Sequence, residues 1–286
     1  IIEYEMKTIL LLIVSMFFIC GCSREENHYK NDWTIKRLKG KVKSTKTIGY
    51  FVDDKSVEIK KGSVFYCTLE IYNEKGNIVE SNEYLSDGRL FRKTTLKYDY
   101  HGNVIEQNIF IAIDSSNYKS TYKHKYDDKG NEIESNEYLS DSRLFKKTTL
   151  KYDYHGNMIE LIEYSSSDSL IRKYTFKYDG RGNKIESNAF NSSDSLITKD
   201  TYKYDDRGNI IESIEYRSSD SLITKFTSKY KYDEKGNIVE SCSYNKDGNL
   251  FSKEIFKYDD KGNWINEIYL NHYFGNKITD REIKYF

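Results

Sequence analysis

Hydrophobic and polar side chains alternate along most of the chain with the two-residue period of a β-strand. Between Leu170 and Tyr178, the alternate residues Leu, Arg, Tyr, Phe and Tyr share one side, whereas Lys173 and Lys177 point to the other. The pattern therefore predicts strands with one mainly apolar and aromatic face and one face that carries a row of lysines.

These strands belong to a tandem repeat organised around the segment from Lys97 to Glu106, which reads Lys-Tyr-Asp-Tyr-His-Gly-Asn-Val-Ile-Glu. Its glycine recurs at spacings of 26, 28, 26, 26, 26, 28 and 26 residues. The eight copies are Gly76, Gly102, Gly130, Gly156, Gly182, Gly208, Gly236 and Gly262. A fixed period of this length is typical of repeat architectures.

Each unit is predicted to contain two strands and two turns. The first turn reads Asp-x-x-Gly-Asn, with its aspartate at Asp99, Asp127, Asp153, Asp179, Asp205, Asp233 and Asp259. Aspartate at the first position of a type I turn, with glycine at the fourth where φ is positive, indicates a hairpin with a G1 bulge. The second turn is polar and variable.

The strand after each first turn carries an aliphatic residue three positions beyond the glycine and, in most copies, an aromatic residue five positions later, as at Ile105 and Phe110. An odd separation places the two side chains on opposite faces of a regular strand. Either both faces are partly covered, or the strand contains a bulge.

A single two-strand unit buries too little apolar surface to offset the cost of ordering its backbone, so neighbouring units must stack. The sequence predicts an all-β fold of tandem antiparallel hairpins, one continuous meander of roughly sixteen strands. Such a sheet can curl into a spiral or barrel or remain a twisted ribbon. We expect a strongly curved open sheet or shell.

The amino-acid composition argues against nucleic acid as a binding partner. Lys and Arg total 45 and Asp and Glu total 45, so no net positive field attracts nucleic acid. The 286 residues include 27 tyrosines and no proline, which suits long uninterrupted ladders and excludes proline-rich linkers.

The N-terminal region has the pattern of an export signal. We expect translation to start at Met6 and residues 1–21 to form a signal peptide, because the apolar run that follows Lys7 is too short to span a membrane. Its end, Ile19-Cys20-Gly21-Cys22, resembles the lipobox of bacterial lipoproteins, and by that resemblance Cys22 carries the lipid. A plain signal peptide or an anchor helix is the alternative.

The rest of the chain divides into three parts. Residues 22–32 are predicted to be a polar, lipidated tether, residues 33–72 divergent N-terminal capping strands, and residues 73–286 the repeats. Cys67 and Cys242 lie six repeats apart, and we expect both to be free thiols.

The units from Tyr98-Asp99-x-x-Gly102 to Tyr258-Asp259-x-x-Gly262 resemble the Rhs or YD repeat family, over about residues 65 to 286. The resemblance implies β-hairpins that coil into a shell and a secreted or surface setting. Because of three departures from the family pattern, the resemblance does not imply a toxin. The period is longer than in typical members, the proline-containing cleavage motif has no counterpart, and we expect no cargo segment after Phe286.

No set of residues indicates catalysis, a metal site or a cofactor, so we expect a protein that is not an enzyme. His101 and His155 occupy equivalent turn positions, and the remaining histidines lack ligand-like spacing. Binding is the better prospect, because exposed tyrosine faces can stack on sugars or anchor protein partners. Trp264 departs from the aliphatic or charged residues at its offset and is a possible contact residue.

The leading hypothesis is a non-enzymatic lipoprotein of the bacterial envelope, at the outer membrane or cell surface, that presents its β-repeat surface to a protein or cell-surface partner. A carbohydrate-binding module that uses the tyrosine-rich face is one alternative. An immunity or antitoxin-like partner of a secreted toxin is another. The membrane contact would be made by the N-terminal lipid, and no nucleic-acid partner is expected.

Overall fold

The computed structural model describes residues 31–52, 59–113, 116–217, 222–271 and 273–286. The predicted signal peptide, Cys22 and most of the predicted tether lie outside these residues. A short helix, α1 (Asp32–Ile35), precedes the first of eighteen strands. The strands are β1 (Val42–Val52), β2 (Lys61–Tyr72), β3 (Ile78–Tyr84), β4 (Leu90–Tyr98), β5 (Val104–Ile113), β6 (Ser116–Tyr126), β7 (Glu132–Leu139), β8 (Leu144–Tyr152), β9 (Met158–Ser165), β10 (Leu170–Tyr178), β11 (Lys184–Phe190), β12 (Leu196–Tyr204), β13 (Ile210–Arg217), β14 (Leu222–Tyr232), β15 (Ile238–Tyr244), β16 (Leu250–Tyr258), β17 (Trp264–Asn271) and β18 (Lys277–Tyr285).

The strands form one antiparallel sheet that closes into a barrel. Each strand pairs with its neighbours in the chain, and β1 pairs with both β2 and β18. At this seam Thr45 lies opposite Ile283 of β18 on one side and Glu70 of β2 on the other. All eighteen described strands therefore have two hydrogen-bonded neighbours, and none presents a free edge.

The expectation of an open sheet was wrong in this respect. The predicted antiparallel meander is present, but its two ends meet. Right-handed twist and coiling accumulate along a long sheet, and closure satisfies the backbone groups that an edge strand would leave unpaired. The segments before the repeats supply the last strands, because β1 and β2 belong to the barrel and β1 joins its two ends. The helix α1 lies within the region expected to contain capping strands.

The Asp-x-x-Gly-Asn segments form turns that share one hydrogen-bonding pattern. All eight glycines have positive φ, such as +88° at Gly102. The Gly102 amide donates to the Asp99 carbonyl and the Asp99 amide to the Asn103 carbonyl. The Asp99 carboxylate accepts from the Asn103 amide at 2.8 Å and from its side chain at 2.9 Å. The recurrent asparagine thus completes the hydrogen bonding of the turn aspartate.

A bulge accounts for the odd separation between the aliphatic and aromatic residues. On β5, Val104 lies opposite Tyr98 and Glu106 opposite Lys97, so Ile105 is an extra residue in the register. The same irregularity recurs after the equivalent turns, for example between Lys177 and Tyr178. The second of the two sequence-based explanations is therefore correct.

The two faces of the sheet differ in burial. Lysines that precede each Tyr-Asp pair, such as Lys177 and Lys231, have side chains that are 67% and 72% exposed. Residues of the opposite face, such as Phe176, Ile109 and Ser120, are buried. Side chains converge on the concave side of a closed sheet, so the lysine face is the outer face of the barrel and the face of Phe176 is its inner face.

Residues 31–41 close part of one end of the barrel. The Trp33 amide donates to the carbonyl of Gly76 at 3.1 Å, and the Asp32 carboxylate accepts from the Ile78 amide at 2.6 Å. Leu38 packs into a small core with Val42, Tyr72 and Ile78 at the same end. The helix α1 is therefore attached at the end that carries the Asp-x-x-Gly turns, which we call the turn end. The opposite end, with the variable loops, is the loop end.

Candidate functional site

The outer face carries a ladder of ion pairs. Glu186 on β11 lies 2.8 Å from the Nζ atom of Lys177 and 2.9 Å from that of Lys199 on the two flanking strands. Hydrogen bonds from these side chains, the largest effect coming from Lys177, lower the pKa of Glu186 to about 2. Glu212 and Glu240 also lie between two lysines. Most of the charge on this face is therefore neutralised locally.

A groove of about 660 Å³ interrupts the ladder between β4 and β8. We call it the outer groove. Its floor contains Thr95, Asn108 and Thr121, and the aromatic rings of Phe110 and Tyr138 line it. Its remaining lining residues are Lys93, Glu106, Ile109, Lys119, Ser120, Lys123, Leu139, Ser140 and Ser142.

Two lysines sit on the aromatic rings of the outer groove. The Nζ atom of Lys119 is 5.7 Å from the centroid of Phe110, and that of Lys123 is 5.5 Å from the centroid of Tyr138. These distances fit cation–π contacts, which hold the ammonium groups in place. Sequence reasoning missed the groove, although the 28-residue interval that contains β6 was a signal for it.

A cluster of aromatic side chains lies at the loop end, and we call it the aromatic rim. The Phe251 ring is 4.8 Å from Phe226, 5.7 Å from Tyr273 and 6.1 Å from Phe274, measured between centroids. Tyr273 is 65% exposed and Phe274 is 67% exposed. Both are fixed by the buried Asn271, whose side-chain oxygen accepts from their two amides at 2.8 and 2.9 Å.

The inner face holds a group of charged residues near β17 and β18. The Arg281 guanidinium lies 3.6 Å from the centroid of Trp264. Burial, with a smaller effect from Glu254, raises the pKa of Glu267 to about 7. Trp264 is thus half-buried beneath an arginine rather than on the outer surface, and its role as a contact residue stays a prediction.

A His–Glu pair on the inner face was not foreseen from sequence. The Nδ1 atom of His124 lies 2.7 Å from the Glu132 carboxylate, and its Nε2 atom is buried without a hydrogen-bond partner among the described residues. The two residues are eight positions apart and meet across a hairpin turn. Among the residues that the structure describes, no three His, Cys, Asp or Glu side chains are grouped as a metal site. The described residues also include no helix that is long and apolar enough to span a membrane.

The tyrosines of the Tyr-Asp pairs have mainly structural contacts. The Tyr98 hydroxyl donates to the Ile78 carbonyl at 2.6 Å, and Tyr126, Tyr178, Tyr204 and Tyr258 make the equivalent bond. These rings therefore tie each unit to the preceding strand. The tyrosines of the Tyr-Asp pairs are therefore not part of an exposed binding surface, whereas Tyr138, from the second aromatic position of the repeat, lines the outer groove.

The other sequence-predicted residues lie apart from the groove and the rim. Cys67 on β2 and Cys242 on β15 are free thiols, as expected. They are five strands apart around the sheet, about 24 Å at roughly 4.8 Å per strand spacing. His101 and His155 lie at exposed turn tips, each against the ring of the preceding tyrosine.

Comparison with solved structures finds other large β-proteins. A porin-like protein from Bacteroides uniformis is 8% identical, with 85% of this chain and 98% of that chain covered and a TM-score of 0.46. The Tc holotoxin pore of Photorhabdus luminescens is 14% identical, and the match covers 81% of this chain and 15% of the toxin chain with a TM-score of 0.33. Similarities this low carry no argument about function.

The family comparison is more specific. No curated protein sequence matches the chain. The model of the Teneurin YD-shell family, however, matches residues 112–275, which is more than half of the 286 residues. This range runs from the end of β5 to the loop before β18 and contains six of the eight glycine-marked turns. The chain belongs to the Teneurin YD-shell family.

Proposed function

We propose that the protein is a non-enzymatic, lipid-anchored component of the bacterial envelope that presents its barrel to a protein or cell-surface partner. The lipobox-like segment at Cys22 supports an anchor ahead of the barrel. The position of α1 supports the orientation, because Asp32 and Trp33 attach the chain to the turn end. A tether from Cys22 therefore brings the turn end closest to the membrane.

The loop end then faces away from the membrane. A nine-residue strand spans about 30 Å at roughly 3.3 Å per residue, and tilt in a barrel reduces its height to about 23 Å. The aromatic rim lies at this distal end. Its two exposed rings are the observation that carries the proposal, because Asn271 fixes the backbone of the loop that carries Tyr273 and Phe274 and both side chains are exposed.

A carbohydrate partner is the second candidate, and the rim is the feature that favours it. Sugar rings stack on exposed aromatic faces, and the Tyr273 ring, which stacks on Phe251 at an interplanar angle of 25°, remains largely exposed. Glycan binding would make the rim a recognition platform with the same orientation relative to the membrane.

The anchor is tested by metabolic labelling with palmitate. The label should appear in the wild-type protein and disappear in Cys22→Ala, and a label that persists in this variant would refute the anchor. Exposure at the cell surface is tested separately by protease treatment of intact cells. Cleavage of the loop end in intact cells supports display, whereas protection until the cells are lysed contradicts it.

The contact role is tested with the double variant Tyr273→Ala/Phe274→Ala in binding to whole cells and to a glycan array. The matched control is Tyr100→Ala/Tyr154→Ala, since both of these tyrosines are 83% exposed at the turn end. The rim variant should lose binding and the control should keep it. Equal binding by both variants would remove the rim from the proposal, and turnover of a substrate by the pure protein would argue against a non-enzymatic role.

A further inference from the structure

Two lysines in the outer groove have no carboxylate partner among the residues that the structure describes. Among the described residues, no ion pair joins Lys119 or Lys123 to an acidic side chain, whereas the neighbouring Lys97 and Lys125 are both paired, at 2.7 Å. The aromatic rings beneath Lys119 and Lys123 fix their positions without neutralising them. The outer groove is therefore a local positive site, because it brings two such lysines together on the outer face.

The nearest carboxylate is already engaged. Glu106 lies opposite Lys123 in the register, but its Oε1 atom is 2.7 Å from Lys97 and 3.0 Å from the Asn108 side chain. Hydrogen bonds from Lys97 and then Asn108 lower the pKa of Glu106, and Lys123 adds a smaller effect through space. Glu106 thus bonds towards β4 and leaves the ammonium of Lys123 open to a ligand.

The site arises from the two extra residues in the hairpin of β5 and β6. Residues 116–126 and 222–232 belong to the two 28-residue intervals, and both contain Lys-x-Thr-x-Lys. On β14, however, Lys225 pairs with Glu212 at 2.7 Å. On β6 the equivalent Lys119 lies opposite Phe110, because the hairpin itself is longer. The same sequence pattern therefore gives a neutralised position in one copy and a free cation in the other.

The polar lining and the length of the outer groove suit an extended ligand that carries many hydroxyl groups. Its floor and one wall present the side chains of Thr95, Asn108, Thr121, Ser140 and Ser142. Lys119 and Lys123 are four residues apart on one strand, about 13 Å at roughly 3.3 Å per residue. A peptide that binds by strand addition would need an open sheet edge, and the closed ring offers none.

From these features we infer that the outer groove binds an acidic polysaccharide. The carboxylate or sulfate groups of the ligand bond to Lys119 and Lys123, and its hydroxyl groups bond to the polar floor. This site is independent of the aromatic rim, because it lies on the outer wall between β4 and β8.

One residue that lines the outer groove has an unusual backbone conformation. Ser142 has a φ of +66°, a left-handed conformation, and its side chain lines the groove. The near-identical loop at residues 85–89 has Gly88 in this position, with a φ of +85°. Asp168 and Asp194 have φ values of +56° and +55° at the equivalent position of their own loops, so this conformation belongs to the repeat. Ser142 adds a hydroxyl group to the lining of the outer groove.

The test is a binding titration of the purified full-length protein with a polygalacturonate oligosaccharide, with neutral dextran and polyglutamate as comparison probes. The charge variant is Lys119→Gln/Lys123→Gln, and its matched control is Lys225→Gln/Lys229→Gln from the other 28-residue interval. Removing a charge-assisted bond costs roughly tenfold in affinity, so the charge variant should lose about a hundredfold. The control should bind like wild type, and binding should weaken as salt increases.

Each remaining outcome overturns a part or the whole of the inference. No binding of polygalacturonate, or equal loss in both variants, would refute the groove as the site. Tighter binding of polyglutamate would show that the partner is an acidic peptide, and equal binding of dextran would show that charge has no role. Lys119→Arg/Lys123→Arg should restore binding, and thermal unfolding of all variants checks that a loss does not come from misfolding.

Discussion

Two loops of nearly identical sequence allow the cost of backbone strain to be measured within one molecule. Residues 81–103 and 135–157 differ only at positions 88/142 and 92/146. Both loops are closed by the same hydrogen bonds, and the fourth position has positive φ in each, +85° at Gly88 and +66° at Ser142. We therefore predict that Ser142→Gly stabilises the protein and that Gly88→Ser destabilises it.

The magnitude follows from two opposing effects. A left-handed conformation costs a non-glycine residue about 1–2 kcal/mol, and glycine returns roughly 0.4–1 kcal/mol of this through the greater freedom of the unfolded chain. The net change is about 0–1.6 kcal/mol for each substitution, with opposite signs. Side-chain crowding contributes nothing at Gly88, where an added Cβ meets no atom within 4 Å.

Urea and thermal denaturation of the two variants provide the measurement. A change of 1 kcal/mol corresponds to a shift of about 2–4 °C in Tm for a domain of this size. The double variant Gly88→Ser/Ser142→Gly serves as a control, because it exchanges the two loops and should return close to the wild-type stability. A Ser142→Gly protein that melts below wild type would refute the strain argument. The same variant should bind the acidic polysaccharide more weakly, so stability and binding would change in opposite directions.

Three further predictions concern the inner face, the turns and the helix. Burial raises the pKa of Glu267 to about 7, above the ordinary value of 4.5. The folded protein therefore binds this proton more tightly than the unfolded chain does, and it loses stability as the pH rises from about 4.5 to 7. Glu267→Gln should remove this loss, with a gain of at most about 3 kcal/mol above pH 7 and none at pH 4 in urea titrations, and a gain independent of pH would contradict the assignment. Asp127→Ala removes three hydrogen bonds, from the Lys129 amide and from the Asn131 amide and side chain. The free energy of unfolding should fall by about 1–3 kcal/mol in the same assay. No change would mean that the carboxylate does not stabilise the turn. Trp33→Ala should lower the free energy of unfolding by about 3–5 kcal/mol, because the Trp33 ring packs on the small core and its Nε1 atom donates to the Val42 carbonyl at 2.9 Å. An unchanged Tm would show that α1 does not unfold cooperatively with the barrel.

Local features of the fold could be predicted from the sequence, because local chemistry determines them. The conformation of Gly102 and its equivalents follows from the turn, and the strand at Leu170–Tyr178 follows from alternation. The position of the bulge at Ile105 was one of two stated possibilities, since a sequence separation alone does not distinguish a bulge from a two-sided strand.

Closure and the binding surfaces depend on which distant residues become neighbours. Nothing in the sequence of β1 indicates that Thr45 lies opposite Ile283, because both strands pair through backbone groups that every residue carries. The free charge on Lys119 follows from its position opposite Phe110, whereas Lys225 has the same local sequence and is neutralised. Site chemistry in this repeat is therefore set by register, and register was not visible in the pattern.

The pairing of β1 with β18 also determines when the barrel can complete its folding. During synthesis or export from the N-terminus, hairpins from β2 onward can form one after another, but β1 gains its second partner only when the eighteenth strand has emerged. Until then the growing sheet has two open edges that can pair with other chains. The strand β18, although remote from the groove and the rim, thus ends the period in which the barrel is prone to aggregation.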